Sequence, residues 1–209
     1  MSKPDLMALA EEERTDLLTL LEGLTDEQWN APSLCAKWRV RDVATHIVSY
    51  DELSTTTTVG TFIRGGLRIN AVNAVALQRY GDLEPSAIID LLKRNLRPNG
   101  LPRGFGGGIA LTDGTIHHQD IRRALNLPRT IPEHRLAPVL DFALGAPTLP
   151  AKKNAKDLSL NATDVGWSSG QGQEVTGPGE ALLMTVAGRP VALDELSGPG
   201  LTTLKQRVA

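Results

Sequence analysis

The stretch Ile109-Ala110-Leu111-Thr112-Asp113-Gly114-Thr115-Ile116-His117-His118-Gln119-Asp120-Ile121-Arg122-Arg123-Ala124-Leu125 reads as one helix, entered from a loop at 97 to 108 that is dense in Gly and Pro. Within it Asp113 and His117 stand four residues apart, so both project from one face, one turn from each other. Asp120 continues that face at i+7. The same helical rhythm runs outward on the N-terminal side. Leu6, Leu9, Leu17, Leu18, Leu21 and Leu24 form an amphipathic stripe through an acidic segment. Thr25 with Gln28 has the form of a capping box for a short turn toward Trp29. A second helix is expected from about Val40 into the threonine run at 55 to 58, with Val43, Ile47 and the body of Tyr50 on its inner face. A third pattern carries Leu67, Val72, Val75 and Ala76 and stops at Gly81. A fourth starts at Pro85-Ser86 and ends before Pro98, and a sixth begins near Pro132.

Around residue 150 the character changes. Pro147, Pro150 and the basic residues Lys152, Lys153 and Lys156 read as a linker. Leu158, Leu160 and Ala162 then alternate with polar residues, a strand signal, Gly166 to Gly172 reads as a turn, and Glu174-Val175-Thr176 as the returning strand. Pro178 opens a helix closed by Gly188, and short helical turns follow from Leu193 to Leu204. The expectation is a mainly α protein: a helical bundle over residues 1–148 and a small α+β domain over 149–209 that leans on it.

Composition narrows the function classes. The 209 residues are 41% hydrophobic and 22% charged, an ordinary globular balance. With 24 acidic against 22 basic side chains the net charge is -2, which gives no electrostatic case for nucleic acid. No apolar run approaches the ~20 residues of a membrane span, and the acidic N-terminal stretch is not a signal or transit peptide. A single cysteine, Cys35, excludes an internal disulfide and a Cys-rich metal site. The reading is a cytoplasmic protein, monomeric or homodimeric, without a nucleic-acid or membrane partner.

Four histidines are present: His46, His117, His118 and His134. His46 lies mid-helix in Val40-Arg41-Asp42-Val43-Ala44-Thr45-His46. With Asp113 and His117 it would give two imidazoles and a carboxylate from two helices, a three-ligand site for a divalent metal with open positions. Bundles build metal sites in this way, from side chains on facing helices. The bland alternative is a surface Asp–His pair and a satisfied core histidine. His118, rotated about 100° from His117, is expected at the surface. His134, beside prolines, is expected to be solvated. Arg122 and Arg123 would either meet an anionic substrate or serve as cations in the last helical turn. Gly106-Gly107-Gly108 lacks the strand and the Lys-Ser/Thr of a phosphate cradle and reads as a flexible loop. Ser33 reads as a loop or cap residue, Trp29 and Trp38 as packing anchors, and Cys35 as a small hydrophobe between helices, well above the metal.

The run from Trp29 to His46, with Trp29-x2-Pro32-Ser33, Trp38-x-Val40-x-Asp42-Val43 and the following His46, resembles the start of the mycothiol-dependent maleylpyruvate isomerase family, a branch of the DinB-like bundles. Asp113, His117 and Asp120-Ile121-Arg122-Arg123 resemble its second signature. Asp164, Trp167, Gly170, Thr176 to Pro178, Gly188, Arg189, Leu196, Gly198 and Gly200 resemble its C-terminal pattern. The resemblance implies a DinB-like up-and-down four-helix bundle with a small C-terminal domain. It places the metal ligands on His46, Asp113 and His117, with zinc as the default ion. The family's acidic ligand is usually Glu; Asp113 is one methylene shorter, so the helix sits closer or the metal binds more weakly.

The resemblance further implies an actinobacterial cytoplasm and mycothiol as cosubstrate. Its thiolate would add to a small electrophile, giving isomerisation on release or S-transfer on retention. Asp120 would orient His117 or shuttle a proton, and Arg122 or Arg123 would hold a substrate carboxylate. Two other classes stay open: a non-catalytic metal- or ligand-binding bundle, and a metal-dependent hydrolase using bound hydroxide.

Overall fold

The computed structural model describes residues 4–52, 80 and 83–208. The chain divides into two compact units, Met1–Pro128 and Arg129–Ala209. Among the described residues the fold is mainly α, and every strand lies in the second unit, as the patterning predicts. None of the described helices is long and apolar enough to cross a membrane.

In the first unit α1 (Leu6–Glu22) starts at Asp5, whose Oδ1 accepts from the backbone N–H of Met7 and Ala8. Such a carboxylate cap satisfies amides that have no helical partner. The expected capping box is present: Thr25 and Gln28 exchange side-chain and backbone hydrogen bonds at the start of α2 (Asp26–Asn30). The next helix, α3 (Val40–Val48), buries Val40, Val43, Ala44 and Ile47. It ends earlier than the sequence suggests. The Ser49 hydroxyl and N–H both return to the His46 carbonyl, and the Asp51 carboxylate is taken by Arg14, which draws the chain off the helical path. The threonine run and the third pattern around Leu67 to Gly81 lie outside the described residues. Pro85 at the first turn of α4 (Pro85–Arg94) fixes a helical φ, and Ile88, Leu91 and Leu92 face the core. A 3₁₀ segment (Leu101–Gly107) leads into α5 (Gly108–Ala124). There Gly107 has φ +94°, and a Cβ on it would lie 2.7 Å from Met7 Cα, so the starts of α1 and α5 touch backbone to backbone.

Two buried polar chains run through this unit. Arg14 on α1, 1% exposed, forms a bidentate pair with Asp51 at 2.9 Å on both arms, and its guanidinium also donates to the Asn95 and Ile47 carbonyls. Asp51 accepts in addition from the Asn99 N–H at 2.8 Å. One ion pair thus pins α1 to the C-terminal ends of α3 and α4, and burial is tolerable because the charges are paired and multiply hydrogen-bonded. The second chain is Glu13–His118–Arg122, described below.

The second unit begins earlier than the expected boundary at 148. Helix α6 (Glu133–Gly145) packs with the C-terminal elements: Leu136 meets Gly179, and Asp141 Oδ1 accepts from the Trp167 indole at 2.8 Å. The segment expected to be a linker is a structured turn, α7 (Ala151–Asn154). Ala151 is buried there, and Asn154 donates to the Val186 carbonyl while its own carbonyl accepts from Arg207. Strand β1 (Leu158–Ala162) is the predicted alternation, with Leu158 and Leu160 buried.

The expected turn holds a short strand, β2 (Ser168–Gly170), antiparallel to β1, and β3 (Gln173–Gly177) then runs parallel to β1 on its other side, giving the order β2-β1-β3. Glycine allows this. A Cβ on Gly170 or Gly172 would lie 2.3 Å and 2.1 Å from the Leu158 and Asp157 carbonyl oxygens, and both residues have positive φ. Helix α8 (Gly179–Val186) is followed by Gly188 at φ +90°, the predicted stop. A 3₁₀ turn (Pro190–Glu195) and α9 (Leu201–Val208) complete the unit.

Candidate metal centre

Helices α3 and α5 bring His46, Asp113 and His117 together. His46 is fixed mid-helix and only 4% exposed. Asp113 and His117 sit one turn apart on α5, as their spacing requires. The Asp113 carboxylate spans the two rings, Oδ2 lying 3.6 Å from His46 Nε2 and Oδ1 3.6 Å from His117 Nε2. The imidazoles meet edge to face with centroids 4.8 Å apart. Trp38 lies against both rings, at 5.2 Å from His46 and 6.4 Å from His117, and Tyr50 meets His46 edge-on at 6.0 Å. The Asp113 side chain stays 43% exposed, so the cluster opens to solvent on that side.

Both ring nitrogens of His46 are buried and have no hydrogen-bond partner among the described residues. A buried polar atom without a partner costs about 1–3 kcal/mol, and an imidazole with its lone pair aimed at a carboxylate and a second imidazole is a ligand set for a borderline divalent ion. Two ligands of a tetrahedral zinc with bonds near 2.0–2.1 Å stand roughly 3.4 Å apart. The observed 3.6 Å fits that spacing. The donor set present therefore suits a divalent metal.

Behind His117 lies Asp120, 0% exposed, with Oδ2 at 2.9 Å from Nδ1. This carboxylate–histidine pair is the arrangement that orients a metal-binding imidazole. His117 holds its proton far above the ordinary range, up to about 10. Burial is the largest single influence and pulls downward. The Asp113 charge, the hydrogen bonds to Asp120 and Cys35, and the Asp120 charge together outweigh it. Burial and the Asp113 charge push the Tyr50 phenol up to about 12, so it keeps its proton throughout the physiological range.

Three placements differ from expectation. Cys35 does not stand above the site: its Sγ lies 3.1 Å from Asp120 Oδ2 and 3.5 Å from His117 Nδ1. The loop carrying it folds back across α5, where the Leu34 N–H donates to the Asp120 carbonyl at 3.2 Å, so a helical rise counted from residue 35 does not apply. His118 is not at the surface but fully buried, with Nδ1 2.8 Å from Glu13 Oε1, because its face of α5 packs on α1. Arg122 Nε donates to His118 Nε2 at 2.8 Å, which makes Nε2 the acceptor and leaves the imidazole proton on Nδ1, facing Glu13. Arg122 therefore serves the His118 face, rotated about 100° around the helix from the face of Asp113 and His117. Arg123 is half-buried in the last turn of α5. His134 is exposed as expected, on the first turn of α6. Sequence reasoning also missed Trp38 and Tyr50 as walls of the site. Their positions eight residues before and four after His46 were the available signal.

A two-helix His/Asp/His cluster, backed by a buried carboxylate and set in a helical unit followed by a small α+β unit, defines a mainly α protein with a candidate metal site. Residues 10–94 match the mycothiol maleylpyruvate isomerase N-terminal domain family. Among solved structures the chain is similar to the crystal structure of the mycothiol-dependent maleylpyruvate isomerase, at 14% identity and TM-score 0.54, covering 93% of this chain and 91% of that one. A histidine-to-alanine mutant of that isomerase matches at 15% identity and TM-score 0.53, with the same coverage. At this identity the likeness is one of fold. No curated protein matches the chain.

Proposed function

We propose that this chain is a metal-dependent enzyme that uses mycothiol to isomerise a small electrophilic substrate, or to conjugate it through the thiol sulfur, with zinc as the ion. The observation that carries the reading is His46: a buried imidazole with neither nitrogen hydrogen-bonded among the described residues, facing a carboxylate and a second imidazole. His46 and His117 would hold the ion through Nε2 and Asp113 through its carboxylate, leaving coordination open toward the exposed Asp113 side. The ion, when bound, supplies the Lewis acidity that lets a small thiol react as its thiolate at neutral pH.

The chain's own residues do the rest. Asp120 Oδ2 accepts a hydrogen bond from the Nδ1–H of His117 and so fixes the ring with Nε2 toward the cluster. Trp38 and the body of Tyr50 wall the rings off from water on the α3 side, which strengthens every electrostatic interaction inside. Tyr50, protonated up to about 12, offers a neutral O–H and no competing charge. The family match of residues 10–94 supports mycothiol as the thiol, and with it an actinobacterial cytoplasm. Arg122 or Arg123 would hold a substrate carboxylate, with Arg122 also donating through Nε to His118.

The test is metal content of the purified chain, followed by turnover of maleylpyruvate and other small electrophiles with and without mycothiol, beside His46→Ala. Stoichiometric zinc and thiol-dependent turnover, both lost in His46→Ala, are expected. Turnover without thiol would favour a hydrolase, and bound metal without any turnover a binding protein.

A further inference from the structure

We infer that Cys35 is a positioning residue for this centre, acting through Asp120 on His117. The inference rests on the metal reading above. For His117 to ligate through Nε2, its ring proton must sit on Nδ1, which lies 2.9 Å from Asp120 Oδ2. The same oxygen accepts the Cys35 thiol at 3.1 Å. Two donors thus converge on one carboxylate oxygen of a residue that is 0% exposed, where solvent has no access to replace either.

The sulfur is held there by its loop. The Cys35 N–H donates to Ser33 Oγ at 3.1 Å, Ser33 Oγ donates to the Trp38 carbonyl at 2.8 Å, and the Trp38 N–H donates to the Cys35 carbonyl at 3.0 Å. The Leu34 N–H to the Asp120 carbonyl ties that loop to α5. The loop therefore grips Asp120 at its backbone and at its carboxylate, and the thiol sets which oxygen faces His117.

Direct ligation by sulfur is the competing geometry, because Cys35, His117 and Asp120 offer three donor atoms within 4.8 Å of one another. Distance decides against it. A separation of 2.9 Å between Nδ1 and Oδ2 is a hydrogen-bond length. Two ligands of one zinc stand roughly 3.4 Å apart. Cys35 acts from outside the ligand shell.

The test is zinc affinity of the full chain, measured by competition with a chromophoric chelator, in wild type, Cys35→Ala, Cys35→Ser, Asp120→Asn and the Cys35→Ala/Asp120→Asn double variant. Cys35→Ala is expected to bind about tenfold more weakly, the lower end of the usual outer-shell effect, and Asp120→Asn roughly 10–100-fold. Cys35→Ser keeps an O–H donor and should recover most of the loss. The double variant should bind no more weakly than Asp120→Asn, whereas a merely structural role for Cys35 would add. Cobalt-loaded wild type should lack a thiolate-to-metal charge-transfer band. Cys35→Val refills the volume without a donor and stands in if the alanine unsettles the fold.

Donorless variants that match wild type, additive losses, or a charge-transfer band that vanishes in Cys35→Ser would each overturn the assignment. A wild-type chain that binds no zinc overturns the metal reading beneath it, a failure separate from one in which the metal binds and Cys35 proves indifferent.

Discussion

Zinc binding to this chain is expected to strengthen about tenfold for each pH unit through the neutral and mildly basic range, because one proton must leave His117 for each ion that enters. In the metal-free protein His117 holds that proton up to about 10, the Asp113 and Asp120 carboxylates and the Cys35 thiol overcoming the downward pull of burial. Ligation needs the Nε2 lone pair, and Nε2 faces Asp113 at 3.6 Å. The metal-free state therefore binds one more proton than the loaded state, and affinity rises with pH. Between about pH 7 and 9 the gain is roughly a hundredfold, or about 2.7 kcal/mol. The sequence, read with an ordinary histidine titrating near 6.5, places the loss of metal below pH ~6. The two flanking carboxylates move that window upward. Competition titrations at several pH values give the slope. Calorimetry in two buffers of different ionisation enthalpy gives the proton count, expected to be about one near pH 7.5. A flat affinity with no proton released would refute the reasoning: His117 would then be neutral without metal, or not a ligand.

The metal-free protein should itself lose stability as pH rises. A folded-state proton on His117 held above the unfolded value of about 6.5 contributes fully below that pH and fades toward about 10, which a series of chemical denaturation curves would show. Asp51→Ala leaves the Arg14 guanidinium buried without its carboxylate and should cost about 3–5 kcal/mol by urea unfolding; a change under 1 kcal/mol would mean the pair is solvated. His118→Ala should lower the denaturation midpoint, since Glu13 loses its 2.8 Å partner, yet retain one zinc per chain, whereas His46→Ala should retain the fold and lose the zinc. Gly107→Ala forces a Cβ to 2.7 Å from Met7 Cα at φ +94° and should depress the melting temperature by a cost of roughly 1–3 kcal/mol or more.

How far the residues announce the structure differs from element to element. The capping box at Thr25, the strand at Leu158 to Ala162 and the Gly188 stop are local devices, fixed by hydrogen bonds within a few residues or by alternation along one strand. They stand where the sequence puts them. The failures are of another kind. The linker around Lys152 is ordered because Asn154 and Arg207, far apart in the chain, meet there. The expected hairpin becomes an antiparallel and a parallel pair because two glycines permit close approach to the Asp157 and Leu158 carbonyls at the start of β1.

At the centre the same line divides what was legible from what was not. Spacing on one helix determined that Asp113, His117 and Asp120 share a face, since a 3.6-residue turn leaves no alternative. That His46 meets them was an inference from resemblance, and only the packing of α3 on α5 brings its ring to 4.8 Å from His117. Adjacent His117 and His118 look alike as letters. Which one faces the cluster and which is buried against Glu13 depends on where α1 packs. Cys35, 82 positions before His117, reaches 3.5 Å from it through a loop held by backbone hydrogen bonds to α5. The sequence by itself determined the helices, their caps and the one-helix part of the cluster, because those follow from interactions between near neighbours. Tertiary structure alone decided which buried groups surround His117, and so its protonation, because charge and desolvation act through space and not along the chain.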